Sequence, residues 1–324
     1  MNQKKRRHYR KKKYTVLKVI SIIFVLVIIA VASIAYVAYR NVESTFSTSY
    51  ENFPKTTSID LKKSKTFTTL IIATGKNNSK NSAYATVLAS TNVKTNQTTF
   101  MNFPVFATMP NQKTITEVYN TNGDDGIFQM VKDLLNMSIN KVIQIDVNKM
   151  GSLVQATGGI TMQNPKAFNA EGYEFKQGTV NLQTVDQVQA YMTQIDDTDL
   201  DASITRIQNV SMELYGNIQK IAHMKKLESF NYYREILYAF SNTVKTNISF
   251  NDAKTIVMSY NKALKNTSKL NLHTTDENGA KVVSQTELDS VKTLFEKISK
   301  IKEPRGSFIF ISSQYNPVRL DRLD

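Results

Sequence analysis

No cysteine occurs anywhere in the 324 residues. The absence excludes disulfide frameworks, thiolate metal sites and cysteine nucleophiles, and it suits a protein exported from a bacterial-type cell. Tryptophan is also absent, and the three histidines, His8, His223 and His273, are too scattered to suggest a histidine-rich metal site. A third gap is local: residues 67–112 contain no Arg, Asp or Glu. Inside that gap, "MNFPVFATMP" (101–110) carries no charge between Lys94 and Lys113. It follows a strand-turn-strand pattern and so leaves the end of a sheet strand, where ligand-binding side chains usually stand in α/β proteins.

What is present is unevenly spread. The net charge of +14 comes from 41 basic and 27 acidic residues, and ten of the basic ones but none of the acidic ones fall within the first 40. That leaves 31 basic against 27 acidic residues afterwards, a net of +4, so the high pI belongs mostly to the N-terminal tail. Behind the tail, Val19 to Tyr39 holds no charged residue. A helix of that length spans roughly 31 Å, about the thickness of a bilayer core. Tyr14, Tyr36 and Tyr39 lie near its ends, where amphipathic rings favour the interface. The apolar stretch exceeds the usual core of a cleaved signal peptide. The expectation is therefore a basic cytoplasmic tail (1–13), one transmembrane helix (14–39), and everything after Arg40 outside the cell. "KKRRHYRKKK" reads as the topology signal with added attraction to anionic lipid, and nucleic acid is not an expected partner.

Residues 40–66, polar and rich in Ser, Thr and Lys, read as an extracellular stalk. Strands are expected at "FTTLIIAT" (67–74), "YATVLAST" (84–91) and "TTFMNF" (98–103), the last two joined by a hairpin turn. A helix is expected at 126–137, a strand at "KVIQIDV" (141–147), a short helix at 148–157, and another strand after Gly158 and Gly159. Helices follow at 184–195 with Thr184 as N-cap, at 204–227, and at about 229–245, 250–266 and 285–301. "VKTNIS" reads as a connection, while "LNLHTT" and "SFIFIS" are candidate strands. The alternation predicts an α/β fold, a central mixed sheet between helices, over residues 67–303, with a loose tail at 304–324.

The order of the pieces resembles a known family. A basic tail, one span, and an outer domain running "LIIATG", "TVLASTNVKTNQTTFMNFP", "LLNMSINKVIQIDVNKMGSLVQATGGI" and "LQTVDQVQAYM" is similar to the LytR-CpsA-Psr family, also known as the cell envelope-related transcriptional attenuator domain. The resemblance implies a Gram-positive envelope protein that moves a glycopolymer from an undecaprenyl pyrophosphate carrier to peptidoglycan, using Mg²⁺. That chemistry requires arginines to grip the pyrophosphate and carboxylates to hold the metal.

At the family's motif positions this chain departs residue by residue. Gly75 stands where an aspartate is usual, and Ser82 and Tyr84 replace the arginine and aspartate of an Arg-Ser-Asp-Thr-like motif. Val105 and Phe106 replace an Arg-Asp pair. Tyr191 is kept, but Thr193 and Ile195 stand for two arginines. In the last motif Ile204 replaces an arginine, and only Asp201 and Arg206 survive, as a candidate metal ligand and a candidate phosphate ligand. The expectation is a non-catalytic homologue that binds a polyprenyl-linked or other envelope ligand, such as a polyprenyl phosphate lipid, peptidoglycan or an anionic wall polymer, or that modulates a catalytic paralogue. One alternative is an active phosphotransferase built on Asp201, Arg206 and Lys76 or Lys80, and only that reading calls for Mg²⁺. Another is a transcriptional regulator acting through the basic tail.

The remaining polar clusters are weaker. "DDTDLD" (196–201) fails as a calcium loop, with Ala202 where glycine is needed and Gln208 where a bidentate glutamate is needed, so a solvated loop is expected. "GDDG" (123–126) reads as a turn, and Arg206 as a surface salt-bridge residue. The many Phe, Tyr, Met and Ile side chains read as ordinary core rather than as a lipid-tail pocket.

Overall fold

A computed structural model describes residues 48–77, 80–193, 200–222 and 226–300. The expected transmembrane helix, both tails, Ile195 and "SFIFIS" lie outside these. Among the described residues no helix is long and apolar enough to cross a membrane.

Three strands open the domain: β1 (Thr66–Asn77), β2 (Lys80–Asn92) and β3 (Gln97–Phe103). They are rich in β-branched residues and carry near-continuous apolar runs such as Leu70–Ala73, as a sheet buried on both faces requires. Helix α1 (Ile115–Leu135) leads to β4 (Lys141–Asp146), which pairs in parallel with β1. Short α2 (Met150–Ala156) precedes the hairpin strands β5 (Ile160–Asn164), β6 (Phe168–Ala170), β7 (Tyr173–Phe175) and β8 (Gly178–Leu182). Helices α3 (Val185–Thr193), α4 (Leu200–Ala222) and α5 (Lys226–Thr243) follow, then β9 (Val244–Thr246), α6 (Phe250–Ser259), α7 (Asn261–Lys265) and β10 (Thr267–Asn271). The small hairpin β11 (Thr275–Glu277) and β12 (Ala280–Val282) and helix α8 (Gln285–Lys300) complete the order.

The main sheet has the order β10-β3-β2-β1-β4-β9, with β1–β4 and β3–β10 parallel and the other pairs antiparallel. Alternation sorts its side chains into two cores. Leu70, Ile72, Leu88, Met101 and Phe103 pack with α1 and α8 on one face. Phe67, Ile71, Val87, Phe100, Ile143 and Ile145 pack with the remaining helices and the β5–β8 hairpin on the other. The expected mixed sheet between helical layers is the observed architecture.

Three local readings change. Helix α1 starts eleven residues before the expected one, at Ile115, because Thr114 closes a capping box with Glu117: Glu117 N–H donates to Thr114 Oγ1 (3.1 Å) and Thr114 N–H to Glu117 Oε2 (2.7 Å). "GDDG" is then a kink within that helix, made by Gly123 at φ 63°. "VKTNIS" is no mere connection, since its first residues form edge strand β9. The described part of the expected stalk, residues 48–66, lies against the domain. Glu51 N–H donates to Thr246 O and Thr246 N–H to Ser49 O, both at 2.9 Å, while buried Tyr260 donates its hydroxyl to Leu61 O (2.9 Å) and Ser64 O (2.8 Å).

Candidate functional site

Parallel neighbours β1 and β4 end side by side, the geometry that opens a crevice at strand C-termini in open α/β sheets. A cleft of about 750 Å³ lies there. Its floor is Thr74, Gly75 and Lys76 from β1 with Gln144, Asp146 and Asn148 from the end of β4 and the turn after it. Tyr119 of α1, Glu171 and Tyr173 of the β6–β7 hairpin, and Asp186 and Gln189 of α3 close its sides. Thr184 caps α3 as expected, accepting from Gln187 N–H at 3.3 Å.

At the strand end the backbone is irregular. The β1–β2 register shifts between Ala73 and Thr74, so that Ala73 pairs with Ala85 and Thr74 with Ala83, leaving Tyr84 as the bulged residue. Its ring is buried in the core and its hydroxyl donates to Lys76 O (3.2 Å). Burial raises the Tyr84 hydroxyl far above its ordinary pKa. Gly75 pairs with Ser82 across the same hairpin, and both are buried.

Asn148 grips the backbone beside Gly75 at two points. Its Oδ1 accepts from Lys76 N–H (2.6 Å) and its Nδ2 donates to Lys76 O (3.2 Å). A Cβ on Gly75 would stand 2.4 Å from that Oδ1. The amide of Asn148 therefore occupies the space into which any side chain at position 75 would grow.

Asp124, on the kink of α1, reaches the same strand ends. Thr74 Oγ1 donates to its Oδ1 (3.1 Å), and Gln144 Nε2 donates to its Oδ2. Burial pushes its carboxyl above the usual range; the Thr74 bond opposes the shift, and the Asp125, Asp146 and Glu51 charges add to it. Tyr119 is likewise raised by burial. Sequence reading missed Asp124. A glycine-flanked acidic pair carries no helical period, and only the kink at Gly123 turns one of the two carboxylates inward.

Arg206 is 3% exposed, not at the surface. Its guanidinium carbon lies 4.2 Å from the centroid of the Phe168 ring and its Nε donates to Tyr191 O (3.2 Å). A planar cation sheds water cheaply enough to sit on an aromatic face, which is why the charge is tolerated inside. Tyr191 is fully buried, donates to Asn164 Oδ1 (3.2 Å), and is pushed up to about 12 by burial against the opposing Arg206 charge. Arg206 does not line the cleft.

A family model described as "LytR_cpsA_psr family" matches residues 33–297. The chain belongs to the LytR-CpsA-Psr family. It is 29% identical over 183 residues to the polyisoprenyl-teichoic acid–peptidoglycan teichoic acid transferase TagU of Enterococcus faecalis, a match covering 55% of this chain and 59% of that protein. Against the TagU of Bacillus licheniformis it is 23% identical over 290 residues, covering 84% and 90%. The chain thus spans about three-fifths of the first relative's length. A crystal structure of a Streptococcus agalactiae protein superposes with a TM-score of 0.57 at 22% identity, covering 78% of this chain and 93% of that one, a likeness of fold.

Within this LytR-CpsA-Psr domain the structure brings Gly75, Ser82 and Tyr84 together at the β1–β2 hairpin, beside the cleft. Val105 is core, and Phe106 is half-buried against both hydrophobic clusters. Asp201 and Ile204 stand on the helical backbone of α4 and Thr193 on that of α3, with side chains outside the described part, as is that of Lys80. Magnesium does not fit the described residues. Gly75 and Tyr84 supply no carboxylate, Asp146 is engaged by Lys149 Nζ (3.0 Å) and Asn148 N–H (3.1 Å), and no three His, Asp or Glu side chains among the described residues are grouped to hold an ion.

Proposed function

We propose that this LytR-CpsA-Psr protein is a non-catalytic homologue of the teichoic acid transferases. Residues 14–39 anchor it in the cell membrane, with the tail in the cytoplasm and the folded domain outside, and it binds an envelope component or modulates a catalytic relative. One observation carries the reading: the Asn148 amide fills the place of a side chain at Gly75, where the family puts its first aspartate. Among the described residues the cleft around it is lined by Asp146, paired with Lys149, and by Glu171, Asp186 and Lys76, and by no arginine, so it lacks the guanidinium grip that a pyrophosphate calls for. The sole arginine retained from the family's cluster is stacked on Phe168 away from the cleft. The uncharged stretch Val19–Tyr39 behind ten Lys/Arg supports the anchor and its direction.

The test uses the full chain in detergent micelles, incubated with a lipid-pyrophosphate analogue and Mg²⁺. With a saccharide-bearing analogue and peptidoglycan or water as acceptor, no conversion to the lipid monophosphate above a metal-free control is expected, and turnover above that control overturns the reading.

A further inference from the structure

We propose that the end of the domain opposite the cleft is a docking surface for the anionic headgroups of the membrane in which the chain is anchored. The proposal rests on the anchored topology proposed above and adds which face of the domain meets the lipid.

Strand directions define that end. β1 starts there at Thr66, β2 finishes there at Asn92, and β3, β4 and β10 start there at Gln97, Lys141 and Thr267. With 12 residues at about 3.3 Å each, β1 sets this end and the cleft roughly 40 Å apart. Three pieces of chain remote in sequence are bound together at it. The turn at 61–64 rests on Tyr260, whose hydroxyl donates to Leu61 O and Ser64 O, so Lys62 and Lys63 stand next to the start of α7. Val93 N–H donates to Lys65 O (2.9 Å), which sets Lys65 beside the β2–β3 turn and Lys94. Thr98 Oγ1 donates to Ala263 O (3.0 Å), which ties α7, with Lys262 and Lys265, to the start of β3. All six of these lysines are exposed.

Acids among the described residues do not balance them. Asp60 is paired with Lys63 (3.6 Å), and Asp252 is taken up by the buried Lys141 (2.8 Å). Asp133 and Glu296, on α1 and α8 of the other face, each adjoin a lysine of their own, Lys132 and Lys297. Six exposed ammonium groups therefore gather around one exposed carboxylate, the pattern that attracts an anionic surface. Lysine is a hydrated point charge on a flexible stem, suited to a diffuse layer of headgroups. A single bound phosphate is better served by the guanidinium fork, and this surface has none among the described residues.

The path of the chain agrees with this face. Tyr50 bridges to Thr246, which is level through Ile143 with Ile71, five residues or about 17 Å from the start of β1. From Arg40, just past the expected span, to Tyr50 the chain reaches at most about 35 Å. The tether is long enough to seat the lysine end on the membrane and short enough to hold it at a high effective concentration of headgroups. At the other end Glu171 and Asp186 stand on the cleft wall, and the same surface potential turns that end away.

The experiment uses the full chain in lipid nanodiscs carrying a headgroup-linked energy-transfer acceptor. Because the chain has no cysteine, Asn261→Cys at the lysine end and Asn120→Cys beside Tyr119 of the cleft each carry a single donor dye at an exposed position. With about one-third phosphatidylglycerol at low salt, transfer from position 261 should exceed that from position 120 about twofold or more. The difference should vanish in phosphatidylcholine nanodiscs, and at about 1 M salt, where the Debye length falls to about 3 Å. It should also vanish in the combined variant Lys62→Gln, Lys65→Gln, Lys262→Gln, Lys265→Gln. Lys113→Gln with Lys281→Gln, both beyond the finish of β3, should leave it unchanged. Equal transfer from the two positions, greater transfer from position 120, or a difference that the fourfold variant retains overturns the proposal. So does tighter binding, per phosphate, of soluble polyphosphate than of the lipid, which would assign the lysines to a dissolved polyanion. Retention of the chain in phosphatidylcholine nanodiscs at high salt reads the anchor separately. If the chain is lost from them, the anchored reading falls, and the surface is read by co-sedimentation with phosphatidylglycerol vesicles. There the fourfold variant should bind about tenfold more weakly than the parent, and equal binding removes the surface as well.

Discussion

Adding one methyl group at Gly75 tests whether Asn148 has taken over the end of β1. In Gly75→Ala the new Cβ would meet Asn148 Oδ1 at 2.4 Å and Cγ at 3.3 Å. The amide lies at the end of a flexible side chain, so it swings aside, and the loss is its two hydrogen bonds to Lys76 at 2.6 and 3.2 Å. Each such bond contributes about 0.5–1.5 kcal/mol, which places the loss near 1–2 kcal/mol for a pair close to the surface. Against it, Gly75 is outside the left-handed region, and replacing such a glycine by alanine stabilises by about 0.4–1 kcal/mol through the unfolded chain. The net is a destabilisation of roughly 0.5–1.5 kcal/mol, or a few degrees in Tm. In an Asn148→Ala background the obstacle is gone, and the same substitution should become neutral or stabilising. The assay is urea unfolding of all four cycle members, followed by circular dichroism because the chain has no tryptophan. An equal cost of Gly75→Ala in both backgrounds would refute the reasoning.

Asp124→Asn tests the buried acid by its pH dependence. The folded-state pKa lies above the unfolded one, so ionising Asp124 opposes folding as pH rises through the carboxylate range. The variant should gain stability over the parent at pH 7, the gain vanishing below about pH 4 in chemical denaturation. Arg206→Lys should lose about 1–3 kcal/mol in urea unfolding, since an ammonium cannot reproduce the planar stack on Phe168 and the bond to Tyr191 O. Thr114→Ala should cost about 1 kcal/mol by breaking the capping box of α1. Glu117 has its pKa lowered chiefly by its bond from Thr114 N–H, so that stabilisation is present above the ordinary carboxylate range and lost as pH falls through it.

Most of the sheet was legible locally. Strands β1 to β4 stand out as short runs of apolar and β-branched residues, and each side of the sheet collects alternate members of those runs. Edge strand β9 was not legible. Three residues have too little period, and their pairing with β4 and with residues 49–51 is made entirely by partners remote in sequence. The apolar period of α1 is interrupted at Gly123 and so marks only its second half, while its true start is set by the capping box at Thr114, which carries no such period.

The chain by itself determined its family, its expected anchor, and the absence of Arg, Asp and Glu across residues 67–112, because composition and motif order need no third dimension. It could not determine which side chains meet at the ends of β1 and β4. Asn148 reaches Gly75 across 73 positions because β4 lies parallel to β1 and its following turn ends above the glycine. Asp124 enters the same strand ends through a kink, and Arg206 is buried where Phe168 offers it a ring and Tyr191 a carbonyl. Periodicity along the chain tells a residue which face it occupies; which side chain it meets there is decided by the packing of elements far apart in sequence.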